Sequence, residues 1–145
     1  MSQSNRALAL RWMQEVWNDR SDQLITELLT NETIGHLEGS VTKGPTEWKA
    51  ARDILLSAFP DLKIVVEDSV SDGERVALRW SVTATHLGDS LGFPATGSAV
   101  SFAGMTWMLF QDGRIIEGWD AWNPTALIER LRVVVQTQAG TKTSS

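Results

Sequence analysis

The chain has 145 residues, enough for one domain with a real core and too few for two ordinary ones. It contains no cysteine, which excludes disulfides, thiolate metal sites and cysteine nucleophiles. Its net charge is −5 with the basic residues scattered, so no cationic stripe is available to track phosphates, and nucleic acid is not an expected partner.

The N-terminal run Met1-Ser2-Gln3-Ser4-Asn5-Arg6 lacks the basic-then-apolar order of a signal peptide. No apolar run approaches the roughly 20 residues that span a bilayer. The expectation is a cytoplasmic protein with no membrane partner. Hydrophobic residues make up 42% and charged residues 21%, a globular balance. Seven tryptophans against no tyrosine exceed what a small core requires, so some of them are expected to line a cavity or an interface.

Leu8, Trp12 and Val16 recur every four residues, with Ala9 and Met13 broadening the face, and predict a helix over residues 5–18. Asp22 reads as the N-cap of a short second helix carrying Leu24, Ile25, Leu28 and Leu29. An extended piece at 33–37 follows. Gly44-Pro45 then opens a third helix with Trp48, Ala51, Leu55 and Ala58 on one face, reaching Phe59 and stopped by Pro60.

Beyond Pro60 the period changes to two. Strands are predicted at 62–70, 75–86, 98–110 and 114–122. Ser71-Asp72-Gly73-Glu74 forms the first turn, a glycine-rich loop spans 87–97, and Gln111-Asp112-Gly113 makes a tight hairpin. Asn123-Pro124 caps a last helix carrying Leu127, Ile128 and Leu131. Residues 1–135 read as a single domain and 136–145 as a disordered tail. Helices first and a strand meander afterwards make an α+β fold, a curved sheet wrapped by helices around a hollow.

Four stretches carry a resemblance over nearly the whole chain. They are Glu15-Val16-Trp17-Asn18; Ala58-Phe59-Pro60-Asp61-Leu62; Thr85-His86-Leu87-Gly88 with Gly92-Phe93-Pro94-Ala95-Thr96-Gly97; and Asp112-Gly113-Arg114-Ile115-Ile116-Glu117 with Trp119-Asp120-Ala121-Trp122. In this order and spacing the chain resembles the SnoaL-like domain, the polyketide-cyclase and ester-cyclase branch of the NTF2-like superfamily. The resemblance implies an NTF2-like cone with a mixed, mostly antiparallel sheet enclosing a pocket. It also implies acid/base chemistry without a cofactor. In the cyclases an aspartate late on the last strand acts as acid/base for an intramolecular aldol closure, and Asp120 occupies that position. Two of the family's polar positions differ: the cyclase asparagine falls on Gly35, beside His36, and the cyclase histidine falls on Thr106. His36 matches a histidine of the ester-cyclase-like relatives.

Read from the residues, Asp120 lies between Trp119 and Trp122, where poor solvation would raise its pKa toward working pH. The alternative is a strand-end aspartate that caps the last helix or pairs with Arg79 or Arg114. His36 is a candidate to orient Asp120 or polarise a substrate oxygen. His86 sits at the pocket mouth or fixes the glycine loop. No ligand spacing suggests a metal. Leu91 and Phe93 are placed to close over a ligand. Trp12, Trp17, Trp48, Phe59, Thr106, Met108 and Trp122 complete the expected substrate-binding set.

With a three-residue turn, Phe110 opposes Arg114, so Gly104, Thr106 and Met108 share a face with Ile116, Gly118 and Asp120. Trp107, Glu117 and Trp119 then take the other face, which a homodimer would cover. Three functions follow as expectations. The first is a cofactor-independent cyclase or isomerase acting on an apolar carbonyl compound. The second is a non-catalytic binder of hydrophobic small molecules. The third is an epoxide hydrolase using Arg79 with Asp120.

Overall fold

The computed structural model describes residues 4–143, with side chains through Gln138. Helix α1 (Asn5–Arg11) starts at Ser4, whose hydroxyl accepts the Ala7 N–H at 3.1 Å. Its continuation, Trp12–Asn18, is π-helical: the Asp19 N–H reaches the Gln14 carbonyl, five residues back. The sequence pattern predicts one uniform helix here and carries no signal for the widening.

Helix α2 (Asp22–Leu28) is capped by Ser21, which accepts the Leu24 N–H, and not by Asp22 as expected from sequence. The one-residue shift frees the Asp22 carboxylate for Arg52, to which it is hydrogen-bonded. Strand β1 (Leu29–Leu37) is four residues longer than predicted, and β2 (Ser40–Lys43) was not predicted. The two form a hairpin about Glu38-Gly39, with Leu37 opposite Ser40. Helix α3 (Gly44–Ala58) begins at a left-handed glycine followed by Pro45 and ends before Pro60, as the sequence predicts.

Strands β3 (Lys63–Ser71), β4 (Arg75–Thr85), β5 (Ala99–Gln111) and β6 (Arg114–Ala121) make an antiparallel meander. The sheet order is β2-β1-β6-β5-β4-β3, and β1 joins β6 in parallel. Val76, Leu78, Trp80, Val82 and Ala84 alternate inward along β4 and meet Leu8, Trp12, Met13, Val16, Leu24 and Ile25 from the helices in one core. Over the described residues the fold is therefore α+β: four helices and a curved, open, mixed sheet.

The β5–β6 turn differs from the expected three-residue loop. Gln111 faces Arg114, and Asp112-Gly113 form a two-residue turn with φ of 52° and 74°. Two consecutive positive φ angles are what a tight hairpin needs to match strand twist. A bulge at Ile116 then resets the phase: Phe110 faces Ile115, but Leu109 faces Glu117. Ile115, not Ile116, is the core residue. Downstream of the bulge the faces are as predicted. Met108 and Thr106 oppose Gly118 and Asp120 on the inner face, and Trp107 opposes Trp119 on the outer one.

Helix α4 (Pro124–Thr143) is capped by Asn123, whose Oδ1 accepts the Ala126 N–H at 3.0 Å. It runs past Gln136, where the sequence predicts an unpatterned tail to begin; Ser144 and Ser145 lie outside the described residues. No helix among the described residues is long and apolar enough to cross a membrane.

Candidate active site

Asp120 lies one residue from the end of β6, directly opposite Thr106 on β5. The Thr106 hydroxyl donates to Asp120 Oδ1 at 2.6 Å. Thr106 Oγ1 in turn accepts the indole N–H of Trp80 at 2.9 Å. The Trp80 ring can lie this close because residue 104 is glycine: a Cβ there would stand 2.7 Å from the ring. The indole orients the hydroxyl, and the hydroxyl orients the carboxylate. No donor among the described residues meets Asp120 Oδ2.

The carboxyl group stands where two pocket lobes meet. One lobe holds about 590 Å³ of unfilled space, mouth included, and is walled by Leu55, Leu62, Ile64, Val82, Phe102 and Trp122. The other, of about 440 Å³, is walled by Trp12, Leu29, Gly35, Met108, Ile115 and Gly118. Both are bounded by Met13, Trp17, Leu37, Trp48, Thr106 and Asp120.

Burial in this apolar setting raises the Asp120 pKa to about 6; the Thr106 hydrogen bond opposes the rise and the negative charge of Glu38 adds to it. Arg52 also borders the first lobe, but its guanidinium is engaged elsewhere, by the Val16 carbonyl at 3.2 Å, Asp53 at 2.9 Å and Asp22. Asp120 is thus the ionisable group the pocket offers.

Of the residues singled out in the sequence, Trp17, Trp48, Thr106, Trp122 and Asp120 meet in the first lobe, and Trp12 and Met108 join them in the second. His36 does not join them. Parallel pairing puts it opposite Trp119 on the outer face, stacked on that ring at 5.2 Å and bonded to Glu117 at 2.6 Å. It points away from Asp120 because Gly35 and Leu37, its neighbours, take the inner face.

Phe59 is fully buried behind the lobes, against Phe102 and His86. His86 is fully buried too. Its Nδ1 accepts the Thr96 N–H at 3.1 Å, and its backbone pairs with Gly97 and Ser98, so it fixes the glycine loop. Phe93 packs on His86 beneath Arg132, and Leu91 packs on the core; neither borders a lobe. Arg79, expected to assist Asp120 in epoxide hydrolysis, lies on the opposite face of the sheet. Trp80 is a site residue absent from the expected set; the period of two over 75–86, with Val76, Leu78, Trp80 and Val82 on one side, is the sequence signal that faces it inward. Among the described residues no group of three His, Cys, Asp or Glu could hold a metal ion.

This combination of a helix-wrapped cone, a sheet-borne carboxyl and an apolar pocket defines a class, and comparison with known proteins identifies it. The family model for SnoaL-like polyketide cyclase matches residues 7–131. The fold superposes on a candidate SnoaL-like polyketide cyclase of Jannaschia sp. CCS1 with a TM-score of 0.81 at 23% identity, over 90% of this chain and 96% of that one. AclR of Streptomyces galilaeus, a candidate hydroxylase, is 32% identical with a TM-score of 0.76 over 86% of this chain and 92% of its own. A candidate polyketide cyclase of Acidithiobacillus ferrooxidans gives 26% and 0.76, over 92% and 99%. No curated protein matches the sequence. The chain belongs to the SnoaL-like polyketide cyclase family.

Proposed function

We propose that the protein is a cofactor-independent acid/base enzyme of the cyclase or isomerase kind, acting on an apolar small molecule that bears a carbonyl group. The observation that carries this reading is Asp120, a carboxyl group with a pKa near 6 at the junction of two apolar lobes. As the carboxylate it takes a proton from the carbon beside the carbonyl, leaving an enolate. As the acid it returns that proton to carbon, in an isomerisation, or to the alkoxide formed when the enolate closes on a second carbonyl. The test is hydrogen exchange at C1 of 2-tetralone in deuterated buffer, followed by NMR. The expected result is exchange well above the buffer rate, lost in Asp120→Asn; equal rates in the two proteins contradict the reading.

One observation favours a second reading, a non-catalytic binder: among the described residues Thr106 is the one side chain hydrogen-bonded to Asp120, and His36 lies on the other face. Saturable quenching of tryptophan fluorescence by aromatic ketones that are never exchanged or converted would support it.

We further propose a homodimer formed through the outer sheet face. Met105, Trp107 and Trp119 are exposed there by 58%, 47% and 39%, around a groove that also holds Asp68 and Arg79. Those two are cross-strand partners, yet they form no ion pair with each other. In a two-fold pairing the Arg79 of each copy faces the Asp68 of the other, and the aromatic residues lose their contact with water.

A further inference from the structure

A buried tryptophan ordinarily finds a partner for its N–H. Trp80 does, through Thr106. Trp48 does not. It is 8% exposed, held edge-on between Trp12 (ring centroids 4.7 Å apart) and Trp17 (5.7 Å), and its indole N–H meets no acceptor among the described residues. The donor is not sealed in either, since His86 Nε2 is the one fully buried, unpartnered side-chain polar atom among those residues. The direction of the open edge follows from Gly35. A Cβ built there would lie 2.6 Å from Thr42 Oγ1, 3.3 Å from Trp48 Cδ1 and 3.9 Å from Nε1, so the nitrogen-bearing edge of the ring and the Thr42 hydroxyl both lie over the glycine. Gly35 pairs with Gly118, two residues before Asp120 on the same inner face. Gly35, Gly118 and the Trp48 indole line one lobe, and Asp120 borders that lobe as well.

We infer that the Trp48 indole N–H is the hydrogen-bond donor for the carbonyl oxygen of the bound molecule. The inference rests on the reading of Asp120 as the acid/base and makes its substrate class more specific. The ligand presents an uncharged oxygen acceptor adjacent to the carbon that Asp120 deprotonates. When that proton leaves, negative charge grows on the oxygen, and a fixed donor in an apolar lobe stabilises it more strongly than water would. Packing between two other indoles holds the ring, so the donor needs no reorganisation as the charge develops.

The test is a pair of matched probes, 2-acetonaphthone and 2-ethylnaphthalene, which differ by one acceptor oxygen. Their affinities are measured at pH 8, where Asp120 is ionised and cannot donate. The expected result is that wild type prefers the ketone on the order of 3- to 10-fold, the range of one neutral hydrogen bond. In Trp48→Phe that preference disappears while 2-ethylnaphthalene still binds, and in Trp107→Phe, on the outer face of the sheet, the preference is kept. The carbonyl stretch of 13C-labelled ketone, red-shifted on wild type, returns to its unbonded position in Trp48→Phe. Should phenylalanine fail to fold, 3-benzothienylalanine at position 48 keeps the bicyclic shape and removes the N–H. An undiminished ketone preference in either replacement overturns the inference, as does its loss in Trp107→Phe alone. The binding readout is independent of exchange on 2-tetralone: a preference lost in Trp48→Phe beside exchange indifferent to Asp120→Asn supports the donor and refutes the acid/base.

Discussion

Thr106 and Asp120 face each other across the β5–β6 ladder, and the 2.6 Å hydrogen bond between them holds a carboxyl group in an apolar pocket in a single orientation. The threonine hydroxyl favours the ionised form, while desolvation favours the protonated one more strongly. Thr106→Val keeps the shape and removes the donor. The Asp120 midpoint is then expected to rise above its wild-type value, moving the acid limb of any base-dependent activity to higher pH. The same change strands the Trp80 N–H and costs about 1–3 kcal/mol, read from denaturant unfolding. Thr106→Ser, which keeps the hydroxyl, restores both.

Asp120 makes the fold less stable at neutral pH. Its pKa is about 6 when folded and near 3.8 when unfolded, so between those values the folded protein binds more protons. Stability attributable to this group is greatest below about pH 4 and falls as pH rises through 6. Asp120→Asn removes the dependence and still accepts from Thr106. The variant is expected to be more stable than wild type by up to about 3 kcal/mol at pH 8, with the gap closing toward pH 4. A constant gap across that range contradicts the shift.

His86 acts in the opposite direction. Burial lowers its pKa, weakly opposed by the Gly88 backbone, and its Nδ1 must stay unprotonated to accept the Thr96 N–H. A histidine whose folded pKa is depressed contributes full stability above its unfolded value of 6.5 and loses it as pH falls below that. Measured in the Asp120→Asn background, which removes the opposing slope, melting temperature is expected to drop between pH 7 and pH 5. The drop is expected to shrink when His86→Gln is added.

The outer face predicts a change in assembly. Trp107→Lys puts a charge at the centre of the exposed aromatic patch and touches nothing on the pocket side. Sedimentation is expected to show a dimer for the wild type and a monomer for the variant, with ligand binding unchanged. A monomeric wild type at micromolar concentration removes the dimer from the account.

The parts of this molecule legible in the sequence are those governed by local chemistry. The period of two along β4 placed Trp80 inward, Gly44-Pro45 opened α3, and Asn123 capped α4. Asp120 was found through the family's ordered motifs. The errors arose where distant segments meet. Nothing local says that β1 docks in parallel on β6, and that register turns His36 outward onto Trp119. The sequence pattern makes the hairpin turn one residue too long, and a bulge at Ile116, which no pattern announces, keeps Asp120 on the inner face. The Trp48 donor was invisible for the same reason: its open edge is defined by a glycine on another element.

The proposed chemistry requires the carboxyl group of this apolar pocket to titrate near pH 6. Carboxyl 13C NMR of aspartate-labelled protein, with Asp120→Asn to assign the signal, measures this directly. A midpoint for Asp120 near 6 is the result predicted here; a midpoint at the ordinary aspartate value near 4 would contradict it.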